Sequence, residues 1–376
     1  MKIVIAPDSF KGSMSSEKAA NSIQKGVLRA FPEAETILLP VGDGGEGTLE
    51  TLVAATKGHK VSVYVKGPLG DMVEAEYGVL GDGETCVIEM AKASGLVLVP
   101  TSRLNPLKAT TYGTGELIKK ALDDGYKSFI LALGGSATND GGAGMLYALG
   151  LNLLDENGEE IGLGGAELIR VASIDQSNFD SRIAECKFLI ASDVQNPFIG
   201  PDGASNVFGP QKGASPKDVE FLDECLKNFA EVIEKETGVH LHDLPGAGAA
   251  GGIGGAFQAF FPSNMKRGID VVIEYTRLIQ LVEGADLVIT GEGKVDFQTA
   301  SGKTPMGVAQ AASSKNIPTI ILAGSIGHGV EALYQHGVVS VNSIINKPME
   351  LTEAMDRACE LTEFTAEQVV RSFFFK

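Results

Sequence analysis

The sequence predicts an α/β protein of two domains, one of them interrupted by the other. Three observations carry this. Both ends of the chain repeat a rhythm of short apolar run, glycine-rich loop and helical pattern, which is the pattern of a parallel sheet flanked by helices. In the middle the rhythm breaks into short runs divided by hairpin signals. The length, 376 residues, exceeds the size at which a single core usually keeps growing.

Ile3–Ala6 is an apolar run ending at Pro7-Asp8 and reads as the first strand. A helix follows over about Ser16–Ala30, with Ser16 suited to its N-cap and Ala19, Ala20, Ile23 and Val27 on one face. Thr36–Val41 is a second strand, entering the loop Gly42-Asp43-Gly44-Gly45-Glu46-Gly47, and another helix begins near Thr48. Lys60–Val65, Val73–Val79 and Thr85–Met90 are then divided by Gly-Pro-Leu-Gly-Asp and Gly-Asp-Gly, which predicts an antiparallel or mixed element. Helix Thr114–Leu122, strand Phe129–Leu133 and a long helix Pro216–Thr237 come next. From Asp286 the rhythm is clean again. Strands Leu287–Thr290, Thr319–Ala323 and Val338–Ile344 are each followed by a helix, the first from about Pro305 and the last reaching the C-terminus. Residues 1–60 and 284–376 are therefore expected to pair as one α/β domain, with 61–283 inserted as a second.

Composition narrows the function. A hydrophobic content of 44% and a charged content of 21% are those of a soluble globular chain. A net charge of −17 argues against a nucleic-acid partner, because neutralising phosphates needs a basic face. It leaves room for a small anionic substrate, since lysines, helix N-termini or a divalent cation reverse the field locally. No run is long enough to span a bilayer, and Met-Lys-Ile-Val-Ile reads as a strand, not a signal peptide. The expectation is a cytoplasmic protein with neither nucleic-acid nor membrane partner; monomer and homodimer both stay open. Cys86, Cys186, Cys225 and Cys359 form no C-x-x-C pair. His59, His240, His242, His328 and His336 form no nucleophile or zinc pattern, and His240 and His242 read as loop residues.

Five polar, glycine-rich segments follow apparent strands: Asp8–Ser13, Gly42–Thr48, Gly134–Gly142, Ser192–Pro197 and Thr290–Thr304. Ligands of open parallel sheets gather at the carboxyl ends of strands, where such loops meet helix N-termini. Gly134–Gly142 is the best phosphate cradle. Gly134 and Gly135 let the backbone approach closely, while Ser136, Thr138 and Asn139 add neutral donors. Its plainer reading is a turn in which Asn139-Asp140-Gly141 caps a helix over about Gly142–Leu149. Asp8, beside Ser9, is suited to a divalent cation, and Lys11 to a phosphate or carboxylate. Asp43 and Glu46 are further metal or sugar-hydroxyl candidates, or residues that tolerate a tight turn. Asp193, followed by Asn196-Pro197, could accept a hydroxyl proton, as a kinase aspartate does; its alternative is an Asx turn. In the last segment Glu292 and Asp296 are metal candidates, and Lys294 and Lys303 could offset phosphate charge.

Two motifs are discounted. Ser301-Gly302-Lys303-Thr304 resembles the end of a P-loop, but Phe297 stands where the first glycine belongs and twelve residues separate the apolar run Leu287–Ile289 from Gly302. Gly246-Ala247-Gly248-Ala249-Ala250-Gly251 fits G-x-G-x-x-G, but His242-Asp243-Leu244-Pro245 precedes it instead of a strand. Gly251–Phe261 reads as small-residue structure packed tightly on a neighbour.

Together, Ala6–Lys11, Asp43–Thr48, Gly134–Gly144, Val207–Ala214, Leu244–Gly252, Thr290–Gly293 and Asp296-x-Gln298-Thr299-x-x-Gly302-Lys303-x-Pro305 closely resemble the bacterial glycerate kinase family of the first type, in order along essentially the whole chain. Gly42 and Gly12 are minor departures. The resemblance implies ATP- and Mg²⁺-dependent phosphorylation of D-glycerate, giving 2-phosphoglycerate. It also implies one flavodoxin-like, Rossmann-like parallel domain and one family-specific mixed α/β domain, with the active site in the cleft between them. On chemical grounds Asp193 or Asp296 would orient the attacking hydroxyl and take its proton. Asp8, Asp43, Glu46 and Asp296 are the candidates to hold Mg²⁺. Lys11, Lys294 or Lys303 would stabilise the transferring group, with Ser9, Asn196 and the Gly134–Asn139 loop binding substrate or phosphate. Domain closure would exclude water. Phosphorylation at the 3-hydroxyl, a kinase of a related hydroxy acid, a Walker-type NTPase and a sugar-acid sensor are the rivals.

Overall fold

The computed structural model of the protein describes every residue except Asp43, Glu46, Ser301 and Lys376. Its strands, in chain order, are β1 (Lys2–Ile5), β2 (Glu35–Leu38), β3 (His59–Lys66), β4 (Met72–Val79), β5 (Thr85–Glu89), β6 (Ser128–Ala132), β7 (Asn152–Leu154), β8 (Ser173–Asp175), β9 (Lys187–Ala191), β10 (Ser263–Lys266), β11 (Leu287–Val295), β12 (Thr319–Ile326) and β13 (Val338–Ser343). The residues fall into two compact units. One comprises Met1–Asp43, Glu50–Ala55 and Arg267–Lys376; the other comprises Gly44–Leu49 and Thr56–Lys266.

The first unit is built on five strands in the order β13-β12-β11-β1-β2, all parallel. Counted within the unit from the β2 edge, the order is 2-1-3-4-5, the flavodoxin-like arrangement. Its central strands are buried on both faces. Ile3, Val4, Ile5, Leu287, Val288 and Ile289 have no exposed surface, which is why they read as continuous apolar runs without alternation. The helix Ser16–Ala30 turns Ala19, Ala20, Ile23 and Val27 into a core shared with Leu361, Ala366 and Val370 of the helix Ala358–Phe373. Ser15, not Ser16, is the N-cap of the first of these: its Oγ accepts from the Lys18 amide at 3.3 Å. β11 and β12 also run further than their apolar cores, to Val295 and Ile326. After β12 the chain forms a 3-10 helix, Val330–His336, in place of an α-helix.

The second unit holds a six-stranded sheet in the order β10-β9-β6-β5-β4-β3. β10, β9, β6 and β5 are parallel, whereas β4 is antiparallel to β5 and β3 antiparallel to β4, so the sheet is mixed as the hairpin signals predict. β7 and β8 form a separate antiparallel pair. Phe129 and Phe188 stack with centroids 4.8 Å apart, and Phe261 meets Phe188 edge-on at 4.9 Å. The helix Pro216–Thr237 adds Leu226, Phe229 and Ile233 to this core. It starts at a capping box in which Ser215 and Asp218 exchange side-chain-to-backbone bonds. Among the described residues no helix is long and apolar enough to cross a membrane.

Candidate active site

In the first unit the strand order reverses between β1 and β11, the switch point at which open α/β sheets bind ligands. The two strand ends are tied there. The Asp8 amide donates to Gly291 O at 2.8 Å, and Thr290 Oγ1 donates to Ala6 O at 2.7 Å. Asp8 is nearly buried. Its Oδ1 accepts from the Ser9 amide at 2.6 Å, and its Oδ2 accepts from Thr304 Oγ1 at 2.7 Å, at the start of the helix Thr304–Ser313. Ser9 is half-buried and Lys11 exposed.

The end of β11 supplies the rest of this group. Glu292 Oε1 accepts from Thr299 Oγ1 at 2.5 Å. Asp296 Oδ2 pairs with Lys294 Nζ at 2.8 Å, and its Oδ1 accepts from the Gln298 amide at 2.9 Å. The Lys294 ammonium, helped by the Gln298 N–H and Lys303, holds the Asp296 carboxyl below the usual carboxylate range. Lys303 Nζ donates to Gln298 Oε1 at 3.2 Å, while Lys294 stays largely exposed. The segment that resembles a P-loop is therefore strand to Val295, a short helix over Phe297–Ala300 and a second helix from Thr304. Asp43 and Glu46 lie outside the described residues.

In the second unit β6 and β9 are parallel neighbours, so the segments leaving their carboxyl ends lie side by side. Gly134–Gly142 leaves β6. Gly134 must be glycine, because a Cβ there would stand 2.6 Å from Gly45 Cα. Gly134 and Gly135 are half-buried, and Ser136 is buried. Thr138, Asn139 and Asp140 have no exposed surface. Asn139 Nδ2 donates to Ser205 Oγ at 2.8 Å, whereas Thr138 Oγ1 and Asn139 Oδ1 are buried without a hydrogen-bond partner. The side chains of Thr138 and Asn139 thus face inward, and the accessible part of the loop is Gly134-Gly135. The helix that follows is short, Ala143–Ala148. Asp140 caps it, accepting from the Gly142 amide at 3.2 Å and the Gly144 amide at 3.3 Å. The same carboxylate accepts from the amide and hydroxyl of Thr111 at 2.7 and 2.9 Å.

Asp193 and Asn196 leave β9. Asp193 is exposed; Asn196 is half-buried and donates to Asp202 O at 2.8 Å. The structure thus groups Asp8, Ser9, Lys11, Lys294, Asp296 and Lys303 on one unit, and Gly134, Gly135, Asp193 and Asn196 on the other.

Sequence reasoning misses Lys212. Its side chain is 1% exposed, and Nζ donates to Thr138 O at 2.6 Å beneath the glycine loop. Burial pushes its pKa down to about 7 against the opposing pull of Asp140, whose own carboxyl burial pushes up. The motif Gln211-Lys212-Gly213 is visible in the chain, but a lysine is by default a surface residue, and only its packing reveals the role.

A parallel α/β sheet with acids and lysines at its switch point in one unit, and a glycine loop at the strand ends of the other unit's sheet, suit a phosphotransferase, and comparison with known proteins agrees. Residues 3–374 match the model of the glycerate kinase family. The chain is 51% identical to a glycerate kinase of Bacillus subtilis over 99% of its own length and 97% of that protein. It is 49% identical to the glycerate 2-kinase of Escherichia coli K12, over 94% of this chain and 93% of that one. A crystal structure assigned as glycerate kinase 2 of Salmonella typhimurium LT2 superposes with a TM-score of 0.87 at 48% identity, covering 99% and 98% of the two chains. The protein is a kinase. The chain belongs to the glycerate kinase family.

Proposed function

We propose that this kinase transfers the γ-phosphoryl group of ATP to the 2-hydroxyl of D-glycerate, with Mg²⁺, and works in the cytoplasm. The observation that carries the reading is the near-full-length identity of 49% to a protein named glycerate 2-kinase. ATP supplies the phosphoryl group and Mg²⁺ the positive charge that neutralises the phosphates. The donors at hand suit that ion. Mg²⁺ takes hard oxygens, usually one or two carboxylates, and Asp8 is a carboxylate at the switch point; Asp43 and Glu46 complete the proposed set.

The protein's own residues then divide the remaining work. Lys294, Lys303 and Lys11 place ammonium groups where an anionic substrate or transferring group needs them. The backbone of Gly134-Gly135 accommodates phosphate, with Ser9, Ser136, Thr138, Asn139 and Asn196 in supporting roles. Asp193 is the proposed proton acceptor. As the glycerate oxygen bonds to phosphorus and the bond to ADP breaks, the hydroxyl proton passes to the Asp193 carboxylate and on to solvent. Asp296 is a poor base, because the Lys294 ammonium and the Gln298 N–H hold its carboxyl below the usual carboxylate range. Its role is to keep Lys294 aimed. Measuring ADP release from Mg·ATP tests the reading. We expect turnover that depends on D-glycerate, with lower kcat/KM for hydroxypyruvate and tartronate; no D-glycerate-dependent turnover with Mg²⁺ present would overturn it.

A further inference from the structure

Two imidazoles and a carboxylate converge on one spot of the second unit, on residues the proposed reaction does not use. Glu234 lies in the last turn of the helix Pro216–Thr237, and the loop after Gly238 returns His240 and His242 alongside it. Glu234 Oε2 is 3.0 Å from His240 Nδ1 and 4.0 Å from His242 Nδ1. The rings stack with centroids 4.4 Å apart and an interplanar angle of 20°. Among the described residues these three are the group whose donor atoms could hold a metal ion, all within 4.8 Å of one another. The spacing His-x-His with a glutamate six residues earlier is invisible as a motif; the helix end creates it.

An ordinary His–Glu hydrogen bond accounts for His240 but leaves His242 unexplained. His242 Nδ1 is buried and has no hydrogen-bond partner, a costly state for an imidazole nitrogen. A metal ion supplies that partner. Ligand atoms around a tetrahedral zinc stand roughly 3.4 Å apart, given metal–ligand bonds of about 2.0–2.2 Å. The observed 3.0 and 4.0 Å bracket that spacing. Behind the site, His240 Nε2 lies 3.7 Å from Asp243 Oδ1, the kind of carboxylate that orients a ligating histidine. The backbone is held as well: Leu241 is fully buried, and His242 O accepts from the Ile199 amide at 3.4 Å.

We propose that Glu234, His240 and His242 bind one transition-metal dication of the zinc class, with water completing the tetrahedron. Two nitrogens and one carboxylate are the donors of Zn²⁺, Co²⁺ and Ni²⁺, not of Mg²⁺, so this site is distinct from the one proposed for catalysis. The ion pins the loop to the end of its helix. That loop continues to Gly248, whose amide donates to Asn196 O at 3.0 Å, so the site braces the segment carrying Asn196.

The test is titration of metal-free full-length protein with ZnCl₂ against a chromogenic chelator, together with thermal melts. Wild type is expected to bind one equivalent and to melt at a higher temperature with zinc. The double variant H240Q/H242Q should lose more affinity than the roughly 10–100-fold that mutating an outer-shell partner of a ligand costs, and should lose the zinc-dependent shift; Glu234→Gln should weaken both. Zinc binding that is equally tight in the double variant, or absent from wild type, overturns the proposal. Neither readout depends on kinase activity.

Discussion

A lysine ammonium loses hydration when buried, and Lys212 is held almost wholly out of water under the glycine loop. In the unfolded chain it keeps its proton up to about 10.5, whereas in the folded protein it gives it up near about 7. Between those values the unfolded state binds more protons, so the lysine's effect on stability becomes more favourable as pH rises from about 7 to about 10.5. Lys212→Met removes this titration. Urea melts should therefore show the stability difference, wild type minus variant, growing with pH across that window; a flat difference would refute the assignment. At neutral pH the variant should be destabilised by about 1–3 kcal/mol, the cost of a buried carbonyl, here Thr138 O, left without its donor. The two aspartates separate by role. Asp193→Asn should lower kcat by about 10²–10⁴-fold with little change in KM, the range for removing a general base. Asp296→Asn should lower it less. Near-normal kcat in Asp193→Asn would exclude it as the base.

At the scale of elements, the strands legible in the sequence are those with continuous apolar runs, such as Leu287-Val288-Ile289, because burial on both faces leaves no other pattern. What hid the rest of β11 is that Gly291-Glu292-Gly293-Lys294 looks like a loop. The ladder to β12 continues regardless, pairing Gly291 with Leu322 and Lys294 with Ser325, since its hydrogen bonds are made by the backbone. The candidate acids and lysines were legible for the opposite reason: glycine-rich polar segments after strands stand out in a chain. The inward-facing Thr138 and Asn139 were not, because a sequence does not say which way a loop residue points. Gly251 shows how tightly that loop is backed. Its φ is +78°, and a Cβ would stand 2.0 Å from Thr138 O. Gly251→Ala should thus cost more than the roughly 1–2 kcal/mol of left-handed strain alone, read as a lower urea midpoint. An unchanged midpoint would mean that the contact yields freely.

For the whole molecule, we propose that the chain is a flavodoxin-like domain carrying a mixed α/β insertion, with the strand-end residues of both serving one reaction. Composition argued against a nucleic-acid partner and pointed to a globular protein, but not to glycerate. That identity came only from motifs in a fixed order, because recognition of a three-carbon acid rests on a few contacts that no composition or periodicity encodes. The product's regiochemistry tests this account most directly. Phosphorus on the 2-oxygen couples to one carbon-bound proton, and on the 3-oxygen to two. The proton-coupled ³¹P NMR spectrum of the product formed from Mg·ATP and D-glycerate should show a doublet for the new monoester; a triplet, or no new monoester, would contradict it.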